Sequence, residues 1–334
     1  MTRRLLLAAS CALLVLPLAC KRAETERAGP APFKVALLTP GSIADGGWNQ
    51  AAYEGLLRIR DELGAEVNHQ ETKTPAQFEE GFRDYASRGY RLVFGHGFEY
   101  QEAAARVASE FPHTVFITTS GNTVRENVAP MVFELEQATY LCGLLAARLS
   151  HSKILGLVGG IDLPSIRSTF VAFRGGAESV VPGISVREVF TGSFQDAGAA
   201  REAALALLEA GADALMHQAN DAGRGVFQAV SERAATGQLA YAFGTNKDQN
   251  DLAPDVVLAS AVLDVPTAFV QVATRVRDGT FRAEPLRLGM KDGTVSFVQN
   301  PRLADRIPAE VQAELAAVEE QIRNGSLTVP RGDF

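Results

Sequence analysis

The chain has 334 residues, 46% hydrophobic and 21% charged, with a formal charge of -7. That is ordinary globular material, long enough for one large domain or, as the better expectation, two of moderate size. The acidic balance, with basic residues scattered except at the extreme N-terminus, argues against nucleic acid or an anionic membrane surface as main partner, since either would be repelled at neutral pH.

The opening segment, MTRRLLLAASCALLVLPLAC, joins a basic start (Arg3, Arg4) to an apolar run too short for a comfortable transmembrane helix. This is the pattern of a cleaved export signal over residues 1–20. Its end, LPLAC, resembles a lipoprotein processing box with Cys20 as the acylated residue, although Pro17 stands where a branched aliphatic side chain is usual. Secretion with an unmodified cysteine and an uncleaved anchor are the alternatives. KRAETERAGPAP, residues 21–32, reads as a polar tether. With Cys11 removed and Cys20 acylated, only Cys142 remains, so no intrachain disulfide is expected. Within ATYLCGLLAARL its apolar spacing suits a buried helix face and an inert thiol.

Beyond the tether, β-branched runs alternate with amphipathic stretches. Strands are expected at 33–39, 65–70, 91–97 and 113–119, separated by helices at 49–63, 75–89 and 99–111. A second series follows, with strands at 152–160, 184–192, 212–219 and 239–245 and helices around 170–181, 196–211 and 223–237. Near-continuous apolar strands with intervening helices mean parallel sheets covered on both faces, here two doubly wound lobes with a junction near 147–153.

Open α/β sheets bind ligands in the loops after the strands. Those loops are TPGSIADGGWN, GHGFE, TTSGN, GGIDLPS, TGSFQD, QANDAGRG and GTNKDQN. Two present an aromatic: Trp48, the chain's single tryptophan, and Phe194 from the other series. A flat solute lying against both rings would explain them; Trp48 folded back as a lid on its own helix is the alternative. Asn49 reads as a helix cap or a ligand, Phe98 as a wall or a pocket residue, and Asn220 as the opening of a cleft-facing loop. His96 and His217 stand at strand ends, as lining donors or plain loop residues. Asp162 and Arg167 pair with each other or with a ligand, and Tyr53 and Glu54 belong to surface or packing.

Signatures of enzymes fail. There is no G-x-x-x-x-G-K-[ST], no complete G-x-G-x-x-G, no H-E-x-x-H and no G-x-S-x-G, so neither cofactor, metal nor nucleophile is expected.

The stretches DGGWNQAAYEGL, LCGLLAARLSHSKILGLVGG, FTGSFQDAGAAREAALALLEAGAD and FGTNKDQN with VVLASAVLDV occur in order, and together the chain resembles the basic membrane protein family of ABC-importer substrate-binding lipoproteins from about residue 33 to 297. The resemblance implies a periplasmic-binding-protein fold of the first type: two doubly wound parallel-sheet α/β lobes joined by three crossing segments. The N-terminal lobe would comprise 33–147 plus 263–285 and the C-terminal lobe 148–262 plus 286–334. It implies capture of a purine nucleoside, a nucleobase or a related heterocycle by hinge closure, delivery to an ABC permease, and attachment to the membrane through the N-terminal lipid. The family's D-x-S-F-N loop matches Asp45 to Asn49, so Trp48 stands where an aromatic stacks on the base, and Phe194 matches the second stacking ring. Three positions depart from the family's charges: Thr39 replaces an acidic residue, Asn246 an aspartate and Leu263 a lysine. Asn220 and Gly223 belong to the altered A-G-x-x-G loop. A ligand-binding sensor subunit and a nucleoside-processing enzyme are the alternative functions.

Overall fold

The structure is a computed structural model that describes residues 32–332, so the export signal, Cys20 and nearly all of the tether lie outside the described residues. The first series runs β1 (Lys34–Thr39), α1 (Trp48–Leu63), β2 (Glu66–Glu71), α2 (Pro75–Ser87), β3 (Leu92–Gly95), α3 (Gln101–Ala108), β4 (Val115–Thr119) and β5 (Val128–Phe133). After α4 (Glu136–Leu149), the second runs β6 (Ile154–Gly159), α5 (Pro164–Val180), β7 (Ser185–Phe190), α6 (Ala197–Glu209), β8 (Ala214–Gln218), α7 (Gly223–Ala235), β9 (Tyr241–Asn246) and β10 (Val257–Leu263). The chain ends with α8 (Val265–Arg277), β11 (Leu286–Leu288), β12 (Val295–Gln299) and α9 (Ala309–Arg323).

Two six-stranded sheets result, ordered β11-β5-β4-β3-β1-β2 and β12-β10-β9-β8-β6-β7. All described pairings are parallel except β12 against β10. Central strands such as β3 and β8 are buried along their whole length, as a parallel sheet covered by helices requires. Strand order reverses between β1 and β3 in one sheet and between β6 and β8 in the other, which opens a crevice at the strand ends of each lobe.

Local chemistry fixes where the helices begin. Asp45 accepts hydrogen bonds from the backbone N–H groups of Gly47, Asn49 and Gln50 at 2.9–3.0 Å, so the glycine-rich loop turns into α1 at Trp48. The helix stops at Gly64, whose left-handed φ of 65° suits glycine. Thr74 and Gln77 form a capping box on α2, and Asp196 and Asp264 cap α6 and α8.

The chain passes between the sheets three times, after β5, after β10 and after β11, and the crossings hydrogen-bond one another. Glu134 N–H donates to Leu288 O at 2.8 Å and Asp264 N–H to Thr294 O at 2.8 Å. Lobe membership differs from the sequence expectation at two elements. Helix α4, placed there with the first lobe, packs on α5, α9, β10 and β12 of the second. It is buried nearly all round, so it needs cover on every side, and most of that cover comes from these second-lobe elements. β11, placed with the second lobe, pairs in parallel with β5 and completes the first sheet's edge.

The α4–α5 contact depends on two glycines. A Cβ at Gly143 would stand 1.9 Å from Phe173 O, and one at Gly176 1.9 Å from Tyr140 O. Only bare Cα atoms permit that approach. Gly176→Ala is therefore expected to destabilise the second lobe by about 1–3 kcal/mol, seen as a lower urea midpoint; an unchanged midpoint would contradict the contact.

Candidate functional site

A cavity of ≈ 530 Å³ lies between the strand ends of the two sheets. From the first lobe it receives Trp48, Asn49, Phe98, Glu99 and Ser120; from the second Ile161, Leu163, Phe194, Gln195, Gln218, Asn220 and Asn246; and from the crossings Phe133, Leu135, Glu136 and Leu263. Its walls are mainly apolar with a few polar groups turned inward, the usual make-up of a small-molecule site.

The two aromatics are each backed by their own lobe. Trp48 stacks on His96 with ring centroids 4.0 Å apart and planes 22° apart, and meets Phe133 edge-on at 6.4 Å. Phe194 lies over Gly160, where a Cβ would come within 2.3 Å of the ring. Packed rings lose little freedom when a solute arrives.

Backbone strain is concentrated at the same place. Four non-glycine residues have positive φ among the described residues, and three of them, Ser120 (62°), Asn220 (52°) and Asn246 (71°), line the cavity. Each such residue costs about 1 kcal/mol or more, and strain of this kind persists where surrounding structure over-determines it.

Asn220 joins the lobes. Its Oδ1 accepts from Trp48 N–H at 3.0 Å and its Nδ2 donates to Asp45 Oδ2 at 2.7 Å. Beside it, Lys247 of the second lobe bonds Glu54 of the first at 2.9 Å. Both functional groups of the Asn220 amide are thus engaged in holding the lobes together.

Buried histidines stand behind both walls. His96 Nε2–H donates to Trp48 O at 3.0 Å, which leaves Nδ1 to accept from Thr119 Oγ1 at 3.2 Å. His217 Nε2–H donates to Gln249 Oε1 at 2.9 Å and Nδ1 faces Ala219 N–H at 3.4 Å. Burial lowers their pKa values to about 3 and about 4, so both are neutral at pH 7.

Two carboxylates reach the cavity, Glu99 folded back over Gly97 and Glu136 accepting from Ser168 Oγ. Glu99 is exposed and Glu136 buried, and desolvation raises the pKa of both carboxyl groups. Gln218 Oε1 accepts from Thr245 Oγ1 and Asn246 Nδ2 at 3.2 Å each, leaving the Gln218 amide donors unspent. Asn49 Oδ1 is buried without a hydrogen-bond partner.

Trp48, Asn49, Phe98, Phe194, Asn220 and Asn246 of the sequence-derived set therefore converge on one cavity, which Leu263, at the position of the family's lysine, also lines. Thr39, Asp45 and Gly223 do not line it. The Thr39 hydroxyl, fully buried, donates to Gly41 O at 2.9 Å and bonds His69 Nε2 at 2.8 Å. Asp45 is consumed by the α1 cap and Asn220. Gly223 packs against the His217 ring, where a Cβ would come within 2.2 Å. Asp162 and Arg167 pair with each other at 2.5 Å on the surface. Glu99, Ser120 and Gln218 were passed over although they sit in strand-end loops already singled out. Glu136 and Phe133, on the first crossing, carry no local signal.

Fold and cleft together define a two-lobed solute-binding protein. Residues 33–333 match the family described as Bmp, ABC transporter substrate-binding protein PnrA-like, and the chain belongs to that family. Its members are solute-binding proteins of ABC transporters, not enzymes. Basic membrane protein A of Borreliella afzelii is 28% identical over 89% of this chain and 91% of its own. A purine-binding protein of Brucella abortus is 26% identical, over 88% and 82%. The ABC transporter nucleoside-binding protein BmpA of Lactococcus lactis is also 26% identical, over 89% of each. Among solved structures, a solute-binding protein of an ABC transporter system from Aeropyrum pernix superposes with a TM-score of 0.82 at 23% identity, covering 91% and 94% of the two chains. One from Conexibacter woesei gives 0.70 at 30%, covering 90% and 99%.

Two outcomes follow from this geometry. A histidine whose folded pKa lies below its unfolded value of about 6.5 contributes stability that is complete above that value and lost as pH falls toward the folded one. Between pH 7.5 and 5 the loss for His217 is about 2 kcal/mol, so His217→Gln should flatten the pH dependence of the unfolding free energy, read from urea titrations, by about that amount; identical slopes would contradict the buried neutral imidazole. Asn220→Ala should release the bridge between lobes, raising the radius of gyration of the solute-free protein in small-angle scattering, whereas an unchanged radius would show that the bridge does not hold the lobes.

Proposed function

We propose that the chain is the extracytoplasmic receptor of an ABC importer and captures a purine nucleoside or related planar heterocycle by closing its lobes upon it. One observation carries this reading: Trp48 and Phe194, contributed by opposite lobes, line the same cavity. Each ring can cover one face of a flat solute, and both contacts exist together only when the lobes are shut, so binding favours closure. The cavity volume falls within the roughly 300–1,000 Å³ typical of small-molecule sites. The purine- and nucleoside-binding relatives support the same solute class.

Delivery is to a membrane permease, with the receptor held near it by lipid on Cys20 and the tether beyond. No helix among the described residues is long and apolar enough to cross a membrane, which accords with attachment through the N-terminus. Asn49 and Asn246, with Gln218, supply the polar contacts that orient the solute, Phe98 and Leu263 apolar wall. The protein performs no chemistry on its cargo. In titration calorimetry with guanosine, Trp48→Ala and Phe194→Ala should each weaken binding by about 1–3 kcal/mol, roughly 5- to 150-fold. Unchanged affinity in both variants would refute the clamp.

A further inference from the structure

The cavity has an unbalanced set of polar groups. Glu99 and Glu136 both line it, and neither has a salt-bridge partner among the described residues. The side-chain partner of Glu136 there is Ser168, and the Glu99 carboxylate rests on Gly97. The cavity's basic residue, Lys73, lines it with 69% of its side chain exposed and is tied to Glu71 at 3.0 Å. Leu263 adds no charge from the crossing strand. Two carboxylates thus line a space whose basic lining residue, Lys73, is already paired with Glu71.

We propose that Glu99 and Glu136 set the specificity of the cleft by selecting a heterocycle that presents several N–H donors, neutral or cationic, and by rejecting anionic analogues. This rests on the solute-capture reading and refines it. A ligand N–H meeting either carboxylate forms a charge-assisted bond, and buried Glu136 offers that bond in a low-dielectric setting. An anionic ring brings a second unpaired charge to the same place. Selection here therefore comes from groups that must be satisfied and from like charge that must be kept out.

Calorimetry with three rings of one shape tests this: guanosine, with a ring N–H and an amino group on one edge; inosine, without the amino group; and xanthosine, with oxygen in its place and an acidic ring. The wild type should bind guanosine at least about tenfold more tightly than inosine, with xanthosine weakest. Glu99→Gln, at a cleft-accessible position, should narrow the guanosine-to-xanthosine ratio at least about fivefold, as should Glu136→Gln if its melting temperature shows it folded. Wild-type affinities for the three within about twofold, or a folded Glu99→Gln variant that retains the wild-type ratio, would overturn the proposal and leave solute capture standing. Failure of the folded wild type to bind any of the three would remove the capture reading, and this refinement with it.

Discussion

The Asn220 carboxamide is where the halves of the molecule meet. Its oxygen takes the N–H that begins α1, and its nitrogen reaches the aspartate that caps the same helix. Trp48 is the first residue of that helix. One side chain from the second lobe therefore joins the Asp45-capped start of the helix that carries the indole. Its left-handed backbone, at φ 52°, is the local cost of aiming the amide across the gap.

With the lobes so held, the cleft has a clear division of labour. Apolar and aromatic groups form the walls and exclude water, which strengthens every polar contact inside. The neutral imidazole of His96 stiffens the indole through stacking and through a hydrogen bond to the Trp48 carbonyl, without adding charge behind the ring. His217 backs the second wall in the same neutral state, anchored by Gln249, whose Oε1 also accepts from Thr245 N–H. The three crossings, hydrogen-bonded side by side, carry Phe133, Leu135, Glu136 and Leu263 to the floor, so any movement of one lobe against the other alters the cavity itself.

Much of this was legible in the residues. Alternating apolar runs and helical stretches mark parallel sheets because a strand buried on both faces has no polar side to show, and β3, β4, β6 and β8 all fall where that pattern puts them. The segments after β1, β3, β7 and β8 and the end of β9 carry Trp48, Asn49, Phe98, Phe194, Asn220 and Asn246, each of which reaches the cavity. What was not legible depends on distant partners. β5 and β11 are recognised by pairing with each other across some 150 residues of intervening chain, not by their own periodicity. The burial of α4 says that it is covered but not by which lobe. Asp45 has the sequence setting of a ligand, yet its carboxylate is spent on four hydrogen bonds, three to backbone and one to Asn220. Glu136 is masked because a carboxylate at a helix start reads as ordinary favourable placement.

Because Trp48 is the chain's only tryptophan, its emission reports on one wall of the cleft alone. The most direct measurement is a fluorescence titration with guanosine run beside calorimetry on the same sample. The account requires a saturable change in indole emission with the same midpoint as the heat. Heat of binding with no change at the indole would mean that the solute sits elsewhere, and the aromatic clamp would have to be abandoned.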